Sequence, residues 1–356
     1  MEILANLRVF RDRGCRVTVV QPSDFHYYSG MGPGMLGGTY RPEQIRFPTR
    51  LQVESRGGKF IRDRVIHINP SRQQVTLAQS ATPIPYDVLS CNAGSSVTGK
   101  EQQTSPDIFP VKPIEGLVQA QQVILRKSQQ QQLKIAVIGG GPSAIEIAGN
   151  IRQLTQKSHY QPIIRVFAGT RLLRNHPERL VKIIRKMLDK RKVIIQEGAY
   201  VESASNRRII LEDGRESTAD IVFLATGVTP SSIFTASQLP TGNDGGLLVN
   251  QYLQSTSHAN IFGGGDCISF QPSPLAKVGV YAVRQNPVLL HNVVASLTGK
   301  KLNSFDPGGD YLSIYNLGNR QGVFQKKSII FSGKAAFLIK DYIDRRFIKK
   351  YSGSGK

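Results

Sequence analysis

Acidic residues are scarce in this chain. Among 356 residues, 25 Asp and Glu stand against 46 Lys and Arg, a formal net charge of +21. Such an excess attracts polyanions: nucleic acid, an anionic membrane surface or nucleotide phosphates. The basic residues are spread along the chain without an RNP motif, a zinc finger or a basic arm, which argues against sequence-specific nucleic-acid binding. Cysteine is also sparse: Cys15, Cys91 and Cys267 lie far apart and form no CxxC. That spacing argues against a disulfide framework, a zinc site and a thiol relay, and fits three reduced thiols in a cytoplasmic protein. Long apolar runs are missing, since no stretch approaches the roughly 18 to 20 residues of a membrane span. No Ser-His-Asp set, carboxylate dyad or Cys-His pair is legible, and His26 and His291 read as packing or solvated histidines.

One further absence concerns the start. Ile3, Leu4, Leu7 and Phe10 recur at helical spacing, Gly14 stops the helix, and Val17, Val19 and Val20 make a β-branched run suited to a buried strand. A helix followed by a strand is the second half of a βαβ nucleotide-binding unit. The strand and glycine-rich turn of the first half do not precede it. The expectation is an incomplete copy, with an exposed gap in the sheet beside Val17 to Val20.

A second unit, from Leu133 to about residue 235, is complete. LKIAVIGGG is a strand entering a glycine turn, PSAIEIAGNIRQLTQ its helix, PIIRVFAG a second strand, LVKIIRKMLDKRK a basic amphipathic helix, and DIVFLATGVTP the closing strand. Within it, IGGGPSA places Gly139, Gly141 and Ala144 at the GxGxxG/A spacing between strand and helix. The first glycine allows the tight turn, the second admits a pyrophosphate to the backbone, and the third position must be small for helix and strand to pack. Helix N–H groups and the helix dipole then hold the phosphates. The next strand usually ends in an acidic residue for the adenosine ribose. Here it ends Val166-Phe167-Ala168-Gly169-Thr170-Arg171, with no acid between Glu146 and Glu178. Arg171 at that place suits a 2′-phosphate and leans towards NADPH, or it only solvates a loop.

Outside this unit, YYSGMGPGMLGGTY reads as a glycine-rich loop. A polar, Pro-bearing linker leads to FPVKPIEGL, ANIFGGGDCISF is a strand running into a Gly-Gly-Asp turn, and SPLAKVGVYAVRQNPVLLHNVVASL is a long helix. The carboxylate of Asp266 at such a turn can accept hydrogen bonds from a sugar-like chain. The ending reads as two or three strands and a last helix. Fragments of one nucleotide unit thus flank another. The fold class is α/β, with two Rossmann-like dinucleotide-binding domains, one inserted in the other in three layers, and a C-terminal α+β segment. The expected division is an FAD-binding domain at 1–115 and 240–300, an NAD(P)H-binding domain at 116–239 and a C-terminal segment at 301–356.

The order of these motifs resembles the FAD-dependent pyridine nucleotide-disulfide oxidoreductase superfamily. The likeness is closest to its type II NADH dehydrogenase-like branch, in particular the oxidoreductase module fused to selenophosphate synthetase. YYSGMGPG with GGTY, YDVLS, VKPIEGL, KIAVIGGGPSAIEIAG, ATGVTP, GGGDC, KVGVYAVRQNPVLLHN and FLIKDYIDRRF look like that module segment by segment. The resemblance implies that Asp266 and Gly265 hold the ribityl chain of FAD, that Gly94 approaches the flavin nucleotide, and that Ser29, Gly30 and Lys112 lie near the ring. It implies that Gly139, Gly141, Ala144 and Gly227 serve NAD(P)H with Glu146 close to the nicotinamide, and that Ala282, Arg284 and Gln285 line the flavin face towards the acceptor. Lys112 can instead pair with Glu115, and Arg284 can be a surface residue. Gln21 stands where an acidic residue usually meets the FAD ribose; its carbonyl can accept one hydrogen bond and its amide can donate another.

The flavin does the chemistry, so Lys112, Glu146 and Gln285 are the only candidates for a direct catalytic part, and no metal is implied. The implied activity is hydride transfer from NAD(P)H to flavin and onward electron transfer to an acceptor such as a quinone. The competing reading is an impaired nucleotide-binding or partner-binding relic. Ala335, Leu338, Ile339, Tyr342 and Ile343 form an apolar stripe at helical spacing near basic residues. This stripe suits peripheral contact with the inner membrane face, or packing on the protein's own sheet. The oligomeric state stays open.

Overall fold

In the computed structural model, residues 1–97 and 105–352 are described; 98–104, within the expected linker, and 353–356 lie outside the described residues. The strand Lys134–Ile138 is the middle of a five-stranded parallel sheet. The order is Ile108–Pro110, Ile221–Leu224, Lys134–Ile138, Ile163–Phe167, Val193–Gln196. All four residues of Ile221–Leu224 are buried, as an apolar run covered on both faces must be. The helix Pro142–Leu154 buries Ala144, Ile145, Ile147, Ala148 and Ile151, and the helix Glu178–Asp189 buries Leu180, Val181, Ile184 and Leu188.

The flanking unit draws on both sides of the chain. Thr18–Gln21 runs parallel to Lys59–Arg62, and Leu89–Cys91 runs parallel to Ile261–Gly263. Each of these sheets has two strands, so the far edge of Thr18–Gln21 has no strand partner among the described residues. Leu7, Phe10, Val53, Phe262, Leu289 and Val293 share one core under these pairs. Ile261–Gly263 delivers the chain to Gly265 and Asp266, and the helix Gly279–Thr298 packs on that turn.

Two expectations needed correction. The first helix is broken into Glu2–Ala5 and Leu7–Arg11. The Asn6 side-chain amide donates to the Glu2 carbonyl at 2.8 Å, a local bond that competes with the helix ladder. The glycine-rich stretch is no open loop: Ser29–Met31 is a 3₁₀ turn and Gly32–Leu36 is a fully buried helix. Its glycines allow close packing. A Cβ on Gly32 would press on Ile114 at 2.8 Å, one on Gly34 on the Tyr40 ring at 2.6 Å, and one on Gly37 on Asn150 at 2.5 Å.

The tail forms an antiparallel sheet of Ser313–Asn316, Gly322–Lys326 and Ile329–Gly333, then the helix Lys334–Ser352. Gly149 lets this sheet sit on the helix Pro142–Leu154, since a Cβ there would run into the Leu317 carbonyl. The last helix buries Ala336, Phe337, Asp344 and Tyr351. The expected stripe faces outward: Leu338 is 55% exposed, Ile339 37%, Tyr342 65% and Ile343 42%. The alternative of packing on the protein's own sheet is thereby excluded. No helix among the described residues is long and apolar enough to cross a membrane.

Candidate functional site

The glycine turn after Lys134–Ile138 has the open backbone that a phosphate cradle requires. Gly139 has φ +137°, and a Cβ there would run into the Ala225 carbonyl, so only glycine fits. Gly141 has nothing within 4 Å of an added Cβ and caps the helix Pro142–Leu154, so its backbone is open to a ligand. Ala144 is fully buried, which meets the demand for a small residue. Gly227, at φ +108°, opens to free space just past the Ala225 carbonyl that backs Gly139. The Leu173 N–H donates to the Gly140 carbonyl at 2.7 Å, which brings the 168–173 loop against the turn. Arg171 rises from that loop and pairs with Glu178, both about half exposed.

A second cluster gathers around Asp266. Lys112 Nζ lies 2.7 Å from Asp266 Oδ2, Ser95 Oγ donates to the same oxygen at 2.8 Å, and Lys112 Nζ donates to Ser95 Oγ at 3.1 Å. The partner of Lys112 is therefore Asp266 and not Glu115. Gly265 sits at φ +80° and its N–H donates to Gln285 Oε1 at 2.7 Å. Ala282 is the nearest neighbour of a Cβ built on Gly265. Gly94, at φ +67°, faces open space next to Ser95. The N–H groups of Ala93 and Gly94 point at the Cys267 sulfur, whose pKa burial nevertheless raises. Burial raises the Cys91 thiol as well, so both thiols stay protonated and inert.

A third cluster joins the nucleotide helix to the tail. The Asn316 N–H donates to Glu146 Oε1 at 2.7 Å. Burial pushes the Glu146 carboxyl up to about 7, against the pull of Lys340 and of this N–H. Lys340 Nζ donates to the Gly30 carbonyl at 2.9 Å and to Asp344 Oδ2 at 2.8 Å, and the Tyr28 hydroxyl donates to Asp344 Oδ1 at 3.1 Å. Burial works against the Lys340 charge, but Asp344 and Glu146 outweigh it and its pKa is raised. Gly30 and Glu146 thus share one charged partner, while Ser29 is exposed at the rim.

Two candidates are engaged elsewhere. The Gln21 amide donates to the carbonyls of Ser23 at 2.6 Å and Phe25 at 2.9 Å. Both its protons are spent locally, and only Oε1 remains for a ribose hydroxyl. Arg284 is no free surface residue, since its guanidinium donates to the carbonyls of Pro307 and Gly309. Ser95, Lys340, Asp344 and Asn316 were missed in the sequence. Ser95 directly follows Gly94, and Lys340 and Asp344 are an i,i+4 pair off the apolar stripe, so the signals were present but ordinary.

This geometry agrees with the pattern of the pyridine nucleotide-disulphide oxidoreductases, which matches residues 4–294. The chain belongs to that family. Within it, the chain is 28% identical over 286 residues to ferroptosis suppressor protein 1 of Taeniopygia guttata, spanning 76% of this chain and 72% of that protein. It is 22% identical over 362 residues to the type II NADH:quinone oxidoreductase of Staphylococcus aureus, spanning 95% and 90%. Among solved structures it resembles NDH2 from Plasmodium falciparum in complex with NADH, at a TM-score of 0.79 and 13% identity, over 98% of this chain and 97% of that one. It also resembles the sulfide:quinone oxidoreductase of Aquifex aeolicus, at a TM-score of 0.79 and 16% identity, over 99% and 89%. At such identities the structural likeness speaks for the fold of the family. The narrower likeness to the module fused to selenophosphate synthetase rests on the sequence segments alone.

Proposed function

We propose that this pyridine nucleotide-disulphide oxidoreductase is an FAD-dependent NAD(P)H dehydrogenase that reduces a quinone-type acceptor at a membrane surface. The observation that carries this reading is the coexistence of an open phosphate turn at Gly139–Gly141 with a separate polar cluster at Asp266. Two nucleotide-binding units in one chain suit a donor and a flavin. The fit to FAD is local. Gly94 and Gly265 are left-handed glycines beside Asp266, which Lys112 and Ser95 orient. A bound FAD would supply two-electron redox chemistry between NAD(P)H and the quinone, the hydride together with one proton from solvent making the quinol.

The chain's own residues would do the rest. Gly141 and the helix start behind it bind the NAD(P)H pyrophosphate. Arg171 can turn from Glu178 to a 2′-phosphate at small cost, because an exposed ion pair contributes only about 0–1 kcal/mol. Asp266 accepts from the ribityl hydroxyls, Lys112 fixes that carboxylate, and Gln285 holds Gly265 in its turn. Glu146, ionising near neutrality, can hold or release a proton at its carboxyl close to the nicotinamide. The outward stripe of Leu338, Ile339, Tyr342 and Ile343, with Arg346 and Lys349 exposed on the same helix, suits an anionic bilayer face where a quinone is dissolved.

The test is the visible spectrum of the purified protein, followed by NAD(P)H oxidation with a soluble quinone. A flavin spectrum and turnover well above free FAD are expected. A colourless protein that added FAD does not reconstitute overturns the reading.

A further inference from the structure

Residues 300–312 have no regular secondary structure, yet they are fastened along the whole helix Gly279–Thr298. The ties run in register and antiparallel to it. His291 Nε2 lies 3.2 Å from the Lys301 carbonyl. The Asn292 amide donates to the Asn303 carbonyl at 2.8 Å and accepts the Asn303 N–H at 2.8 Å. Phe305 is buried edge-on against Phe270 at 5.4 Å, and its N–H donates to the Gln251 carbonyl at 2.8 Å. Arg284 then donates to the carbonyls of Pro307 and Gly309. Last, Tyr311 meets Tyr281 edge to face at 5.7 Å. The segment so returns to the end of the helix that touches Gly265 and Asp266.

The upper ties differ in kind from the lower ones. Asn292 and Phe305 are held by buried groups, whereas residues 306–310 bury nothing and their tie is one guanidinium. Among the described residues Arg284 has no carboxylate within ion-pair distance, so both carbonyl contacts rest on its full charge. Below them, the space beside Asp266 is closed to a cavity of about 10 Å³, edged by Tyr281, Gln285, Lys277, Leu275 and Phe270. That volume holds no more than about one water, whereas a ring-sized ligand needs on the order of 300 Å³. Tyr281 edges this space and Tyr311 packs on Tyr281, so a ring entering there must move Tyr281 off its Tyr311 brace.

We propose that residues 306–311 are a strap bracing Tyr281 at the edge of the flavin-holding cluster, and that Arg284 is the positioning residue that latches it and so selects acceptors by size. The proposal rests on the reading of Asp266 as a flavin site. A compact, charged acceptor needs little opening, while a substituted quinone needs the strap displaced. Opening costs the two guanidinium bonds and the tyrosine contact, and the upper ties, Asn292 to Asn303 and the buried Phe305, act as the hinge.

The variants are Arg284→Met, Arg284→Lys and Tyr311→Ala, each compared with the wild type as purified. The first readout is hydrogen–deuterium exchange of peptides spanning residues 303–313, which needs no turnover. Arg284→Met and Tyr311→Ala should exchange faster there while the helix Gly279–Thr298 keeps its protection, and Arg284→Lys should restore most of the protection. The second readout is the ratio of KM for a decyl-substituted quinone to KM for ferricyanide. It should fall about fivefold in Arg284→Met and Tyr311→Ala, the size of a shift that one or two such bonds bias. Unaltered exchange in both variants, or an unaltered ratio in both, overturns the strap. A wild type that holds FAD but oxidises NAD(P)H with neither acceptor overturns the functional reading instead, and the exchange result still decides the latch.

Discussion

At the residue scale, the informative positions are those where a side chain has no freedom. Gly139 cannot gain a Cβ without meeting the Ala225 carbonyl, and its φ of +137° strains any other residue. Gly139→Ala should abolish NAD(P)H binding in a titration and lower stability by about 1–3 kcal/mol. Lys112 and Asp266 are only 25% and 14% exposed, so their pair is more than a surface contact. Lys112→Met leaves a mostly buried carboxylate with Ser95 alone, and FAD affinity should drop by about 1–3 kcal/mol, while Glu115→Gln should leave it unmoved. Glu146 carries a pH signature. An ordinary Glu titrates near 4.5, and burial moves this one to about 7. Between those values the folded state binds more proton than the unfolded chain. Its contribution is therefore fully present below 4.5 and is lost as pH rises through about 7. Glu146→Gln stays neutral, so its stability relative to wild type should rise from acid to mildly alkaline pH. The rise stays below ~3 kcal/mol, given about 1.4 kcal/mol per pKa unit and partial solvent screening. Melts at about pH 5 and pH 8 that differ equally between the two proteins would refute it.

At the element scale, the last helix separates its two faces. The inward face carries Lys340 and Asp344 against Gly30, Tyr28 and Glu146. The outward face carries the apolar stripe. Tyr342→Glu and Leu338→Glu touch nothing buried, so stability should stay within about 0.5 kcal/mol. Sedimentation with anionic vesicles should fall sharply in both if this face meets the bilayer. Equal sedimentation of variants and wild type would remove the helix from any membrane role. Helical periodicity in the sequence identified this stripe but could not say which way it turned. The same limit applies to YYSGMGPGMLGG, where glycines read as a loop because their composition is that of a loop. They form a buried helix because Ile114, Tyr40 and Asn150 approach too closely for any side chain.

At the scale of the whole molecule, the charge of +21 sits on a chain of two units, the five-stranded sheet around Lys134–Ile138 and the flanking strands that include Leu89–Cys91 and Ile261–Gly263. Screening should weaken contact of the intact protein with anionic vesicles as salt rises through the range where the Debye length drops from about 30 to 10 Å. Contact that persists unweakened would be carried by the apolar stripe alone. The inserted unit was legible nearly residue by residue, because a parallel sheet with a glycine turn imposes apolar runs and small residues at set spacings. The flanking unit was legible only in its order of segments. Its strands are short and lie in several small sheets, and one pair, Leu89–Cys91 and Ile261–Gly263, joins segments from the two sides of the inserted unit.

By itself the sequence determined the α/β class, the glycine turn at Gly139, Gly141 and Ala144, the carboxylate at Asp266 and the existence of an apolar helical stripe. Each of these follows from local chemistry: spacing, φ preference or periodicity. Tertiary structure alone decided that Lys112 pairs with Asp266 and not Glu115, that Gln21 spends its amide on Ser23 and Phe25, and that Arg284 ties down Pro307 and Gly309. It also decided that Glu146 shares Lys340 with the tail and that the stripe faces outward. Most of these depend on which groups distant in sequence meet, and a charged side chain chooses its partner by distance and burial, neither of which a linear sequence carries.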